Sequence, residues 1–162
     1  MPRPDAFAYF YYMLTIAAAM ILRVTSIWPS LDPFNPDWVL LVLIYWCIAL
    51  PERFGVFTAW WVGLLTDVLT GRLLGQYALI YALMAYFSIR EHRRLRQFPI
   101  IQQCVFVFFC VLGSESIIFG TESMKAGNRL SYDFWYPVIS AALVWPLVFG
   151  VMRYIRVVTR IA

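Results

Sequence analysis

The sequence predicts an all-α fold, a polytopic integral membrane protein with about six transmembrane helices, and three observations predict it. Of the 162 residues, 62% are hydrophobic and only 14% are charged, against about 45–50% apolar and about 25% charged in globular domains. A soluble fold of this size could not cover so much apolar surface, whereas a bilayer solvates it. Six apolar runs follow one another, over residues 6–28, 36–50, 54–70, 73–89, 98–119 and 135–152. Lastly, the basic residues alternate in side with these runs. With both termini cytoplasmic, Arg3, Arg53, Arg90, Arg93, Arg94, Arg96, Arg153, Arg156 and Arg160 fall inside, and Arg23, Arg72, Lys125 and Arg129 fall at the outer side. That is the bias of the positive-inside rule. A five-span count would place the Arg90–Arg96 cluster and the Arg-rich tail on opposite sides. The length suits one transmembrane domain over residues 1–162.

The first run begins with Ala6 to Leu22, 17 residues outside the polar set except for Thr15. It is longer than the roughly 7–15 residues of a signal-peptide core and no clean cleavage site follows, so it reads as a retained span. The second, Pro36 to Leu50, has 15 residues and reaches about 22 Å as a helix, short of a hydrocarbon core of about 30 Å. It could cross a thinned bilayer, continue through Pro51-Glu52-Arg53, or form a re-entrant hairpin with the third run. The third carries a stripe of small or acidic residues at four-residue spacing: Gly55, Ala59, Gly63 and Asp67, continued in register by Gly71 and Gly75. Small residues at this spacing let membrane helices approach closely. A turn near Thr70-Gly71-Arg72 separates Gly71 and Gly75 from the rest, leaving Gly55-Ala59-Gly63-Asp67 as a docking seam for another helix.

The fourth run ends at the Arg90–Arg96 cluster, which anchors the topology and could also hold anionic lipid or a cytoplasmic partner. Pro99 and Pro137 stand in the first turns of runs five and six, where a missing N–H costs least, and Pro146 should kink the last. Trp28, Trp38 and Trp135 fall at span ends, the headgroup level that amphipathic rings prefer. The loops, residues 29–35 and 120–134, are too small for a soluble domain.

An ionisable residue inside a membrane is a functional candidate. Asp67 admits three readings: a buried structural or partner-facing carboxylate, a wet helix end, or an ion or proton site. Glu115, between Ser114 and Ser116, and Arg23 sit toward the outer leaflet. A Glu115–Arg23 or Asp67–Arg23 pair is open to them, as is plain snorkelling of Arg23. Cys47, Cys104 and Cys110 lie in apolar runs with no metal spacing and read as packed free thiols. His92 is the one histidine and has no companion ligands, so no metal site is expected. No nucleophile–base pair, phosphate loop, dinucleotide fingerprint or zinc motif occurs. No catalytic residue, enzyme activity or cofactor is expected. The positive charge tracks membrane sidedness, so no nucleic-acid partner is expected either.

Residues 34–54 open with Phe34-Asn35-Pro36-Asp37-Trp38; then come Gly63-Leu64-Leu65-Thr66-Asp67-Val68-Leu69-Thr70-Gly71, Leu74-Gly75 and, in the last run, Trp145-Pro146. In this order and spacing the chain resembles the rod shape-determining protein MreD family along nearly its whole length. The resemblance implies a bacterial inner-membrane component of the cell-elongation machinery that maintains rod shape. It implies direct association with MreC and, through it, with MreB and the polymerase–transpeptidase pair of lateral peptidoglycan synthesis. A second copy of the chain is a further candidate partner. The resemblance also implies a six-helix fold similar to the substrate-binding S components of energy-coupling-factor transporters, and hence a rival reading as a small-molecule binder. A third reading is recognition of a lipid-linked wall precursor. The family pattern points to Asp37, Gly63, Asp67, Gly71 and Gly75 and assigns no catalytic residue.

Overall fold

The computed structural model describes residues 4–25, 33–71, 74–126 and 135–159. The expectations for Arg3, Trp28, Arg72, Arg129, Arg160 and the Lys125 side chain lie outside the described residues. Six α-helices occupy the places of the six apolar runs: α1 Pro4–Val24, α2 Trp38–Ala49, α3 Val56–Thr70, α4 Gln76–Gln97, α5 Ile100–Ala126 and α6 Tyr136–Val158. No strand occurs among the described residues.

Several helices outrun their apolar runs. The α4 helix continues to Gln97, so the Arg90–Arg96 cluster, expected as a loop, is helical. The α5 helix enters the expected 120–134 loop, and α6 passes residue 152. Hydropathy marks where a chain meets lipid, but a helix continues as long as its residues favour it. Arg and Glu do, and Glu91 and Arg94 pair at 3.4 Å one turn apart.

Contacts between helix ends sort the bundle into two poles. Where α1 ends and α2 and α4 begin, Arg23 meets Asp37 and Tyr81, and Gln76 at the start of α4 donates to Thr121 late in α5 at 2.7 Å. We call this the paired end. At the other, the basic end, Arg96 of α4 reaches the last carbonyls of α2, and Gln103 of α5 donates to the Leu95 carbonyl at 2.9 Å.

The α2 helix runs down the middle. Every residue from Val39 to Ala49 is buried, as expected of a helix that is apolar all round. It packs against α1, α4 and α6. Twelve residues span about 18 Å. Because Val39–Ala49 face protein on every side, this short helix imposes no thinning on lipid; longer helices form the rim. Thr15, the polar residue of the Ala6–Leu22 stretch, accepts the Trp46 indole N–H at 3.0 Å. Tyr12 stacks on Phe54 with centroids 4.1 Å apart, locking α1 to the turn after α2.

The α3 and α4 helices form the most intimate pair. Gly63 makes this approach: a Cβ there would lie 2.4 Å from the Ala78 Cα and 2.5 Å from the Tyr77 carbonyl oxygen. Gly71, in the left-handed region at φ 63°, ends α3, and Gly75 at φ 100° starts the turn into α4. The stripe is therefore broken after Asp67, as the sequence suggests, and both glycines are needed for the reversal.

Candidate functional site

The polar interior gathers at the paired end, where four helices meet. Asp37 is the N-cap of α2, its Oδ1 accepting the Leu40 N–H at 3.2 Å. The same carboxylate receives Arg23 from the end of α1, Nη1 to Oδ1 at 2.6 Å. From α4, the Tyr81 hydroxyl donates to Asp37 at 2.9 and 3.0 Å from its two oxygens. Arg23 in turn donates to the Tyr81 oxygen at 2.9 Å and lies over the Tyr77 ring, 4.3 Å from its centroid. The guanidinium thus combines an ion pair with a cation–π contact, and its side chain is only 17% exposed.

This corrects two expectations. Arg23 pairs with neither Asp67 nor Glu115, and it does not snorkel outward. The end of α1 and the start of α2 are brought together, so Asp37 reaches the guanidinium first. Tyr81 is the residue that sequence reasoning overlooks. A tyrosine counts as apolar in a hydrophobic run, although its four-residue spacing from Tyr77 puts both on one α4 face.

Asp67 is fully buried, which removes the wet-helix-end reading. Its carboxylate accepts the backbone N–H groups of Gly75 at 2.9 Å, Tyr77 at 2.9 Å and Ala78 at 3.3 Å. Those are the unpaired donors that open α4, and a negative charge there also meets the positive end of the helix dipole. Asp67 therefore acts as a cap supplied by the preceding helix. The helix that docks on Gly63 and Asp67 is the chain's own α4. Ala59 is buried on the same helix, whereas a Cβ at Gly55 would meet nothing within 4 Å. Glu115 is half-buried on α5, and Ser116 donates to the Leu112 carbonyl at 2.7 Å. Cys47 and Cys110 are buried and Cys104 is half-buried, all as free thiols.

The family model for the rod shape-determining protein MreD matches residues 5–155. The chain belongs to this family. A rod shape-determining protein MreD from Haemophilus influenzae is 29% identical over 142 residues, covering 85% of each chain. No solved structure matches. Rod shape determination is thus the role of the family, and the family is a membrane one. In the described part, α5 and α6 are each long and apolar enough to cross a bilayer, over Ile100–Met124 and Tyr136–Val158. The residues singled out in the sequence have concrete tasks here. Asp37 opens α2 and holds Arg23, Gly63 admits α4, Asp67 caps it, and Gly71 and Gly75 make the intervening turn.

Proposed function

We propose that this member of the MreD family is a non-enzymatic scaffold in the bacterial inner membrane. It crosses the bilayer several times with both termini cytoplasmic, binds MreC directly, and through it helps position MreB and the elongation polymerase–transpeptidase pair. One observation carries the reading. The interior carboxylates Asp37 and Asp67 are committed to the chain's own helix ends and to Arg23, a use that builds a rigid body. The outward faces are apolar: Met13 and Ile21 on α1, Phe57, Trp61 and Val68 on α3, Leu143 and Leu147 on α6. In lipid such faces meet acyl chains or the helices of a partner, where close packing drives association. They would serve a second copy equally well.

The sidedness follows from charge. Arg53, Arg90, Arg93, Arg94, Arg96, Arg153 and Arg156 belong to the turn after α2 or the last turns of α4 and α6, toward the basic end. Arg23, at the other end, is tied to Asp37. The positive-inside rule favours a cytoplasmic basic end, the end at which α1 begins and α6 finishes.

Depleting the protein in its own bacterium should turn rods into spheres, and a tagged copy should restore rods and co-purify with MreC from membranes. Rods that persist on depletion, or a restoring copy that brings down no MreC, would overturn the proposal. A retained vitamin-sized molecule with cell shape intact would favour the transporter-type rival.

A further inference from the structure

The basic end holds a cavity of about 670 Å³. Arg53 from the turn after α2, His92 and Arg96 from α4, and Arg153 and Arg156 from α6 all line it, and among the described residues Glu52 is the one carboxylate in its wall. We propose that this cavity binds a phosphate-bearing anion.

Membrane sidedness requires arginines to stay on one side; it does not require them to face one another. Here three separate parts of the chain bring arginines to one concavity, so that several guanidinium groups line a single space. Arg153 and Arg156 are three residues apart and so share a face of α6. Arg96 is held in place, its Nε and Nη2 donating to the Ile48 and Ala49 carbonyls at 2.8 and 2.6 Å, while its Nη1 remains for a ligand. His92 is oriented in the wall by its Nδ1–H, which donates to the Ile89 carbonyl at 2.5 Å. Planar guanidinium forks match phosphate oxygens two at a time, and the volume falls in the range of about 300–1,000 Å³ typical of ligand sites.

The wall nearest the core is apolar. Tyr45 and Phe149 meet edge to face at 5.6 Å, and Val157, Val158 and Tyr154 lie exposed on the same end of α6. A phosphate could thus arrive as the headgroup of an anionic membrane lipid, with chains along α6, or as a soluble phosphate.

The test uses purified, delipidated full-length protein in dodecylmaltoside. One arm titrates dioleoyl phosphatidylglycerol, read by native mass spectrometry; the other titrates sodium pyrophosphate, read by calorimetry. We expect saturable binding in at least one arm, weakened about tenfold or more by R153A/R156A, since each cation near an anionic group adds substantially to affinity. R90A/R93A removes the same charge from α4 positions outside the cavity lining and should change affinity less than about twofold. Binding in the lipid arm alone assigns a headgroup, and in the pyrophosphate arm alone a soluble anion. Mutual competition identifies the phosphate itself. Equal loss in the two double variants, or no saturable binding in either arm, overturns the proposal. Should R153A/R156A fail to elute as a single species, R153Q/R156Q against R90Q/R93Q is read by the same outcomes.

Discussion

At the paired end of the bundle, Arg23, Asp37 and Asp67 each have partners from the chain itself: an ion pair, a tyrosine hydroxyl, the N–H groups that open α2 and α4. At the basic end, Arg53, His92, Arg96, Arg153 and Arg156 share a cavity in which Glu52 is the single carboxylate among the described residues. The first arrangement is closed on itself and spends its charge on holding helices; the second gathers arginines around a cavity, with only Arg96 seen tied to helix-end carbonyls. Charge inside a membrane protein can therefore serve the fold or a visitor. Which it serves is read from whether the charged groups meet one another or line a space.

The largest test of this contrast is Asp37→Asn. Asparagine still caps α2 but leaves Arg23 buried without its counter-ion, a change that costs about 3–5 kcal/mol. Unfolding in dodecylmaltoside–dodecylsulfate mixed micelles measures it, and R23M/D37N should recover much of the loss. No recovery would mean that the ion pair does not hold α1 to α2. Next, Gly63→Ala places a methyl against the α4 backbone and should cost about 1–3 kcal/mol, toward the upper end because backbone cannot rotate away. Asp67→Asn comes third, at about 2 kcal/mol, since the amide keeps one acceptor but loses the charge at the α4 N-terminus. At the basic end, R153A/R156A should move the unfolding midpoint little, since Arg153 is exposed and Arg156 only half-buried and surface substitutions usually cost little. A large loss there would erase the distinction between the two ends.

The helix count was legible because six apolar runs are a strong signal in a chain this hydrophobic. The boundaries were less so, because Arg90–Arg96 is polar by hydropathy yet helical by propensity. Of the Gly55–Asp67 stripe, Gly63 and Asp67 pack against α4 whereas Gly55 stands in open space, and what covers them depends on the reversal at Gly71 and Gly75, which folds α4 back onto α3. The partner of Arg23 was hidden for a similar reason. Asp37 is fourteen positions away along the chain, and nothing in the spacing says that the end of α1 and the start of α2 are neighbours. The basic cavity was partly visible as charge bias. Its convergence was not, since Arg53, Arg96 and Arg156 come from widely separated segments.

The short central helix has an electrical consequence. Along α2, about 18 Å of apolar structure separates the Arg23–Asp37 pair from the basic cavity, where the surrounding hydrocarbon is about 30 Å thick. A membrane potential falls across whatever insulates, so with water at both ends of α2 the field along it would be steeper than in the lipid beside it. Moving one elementary charge through the whole drop is worth about 2.3 kcal/mol per 100 mV. An anion entering the cavity samples a share of that drop, and its occupancy would then depend on whether the cell's membrane is energised.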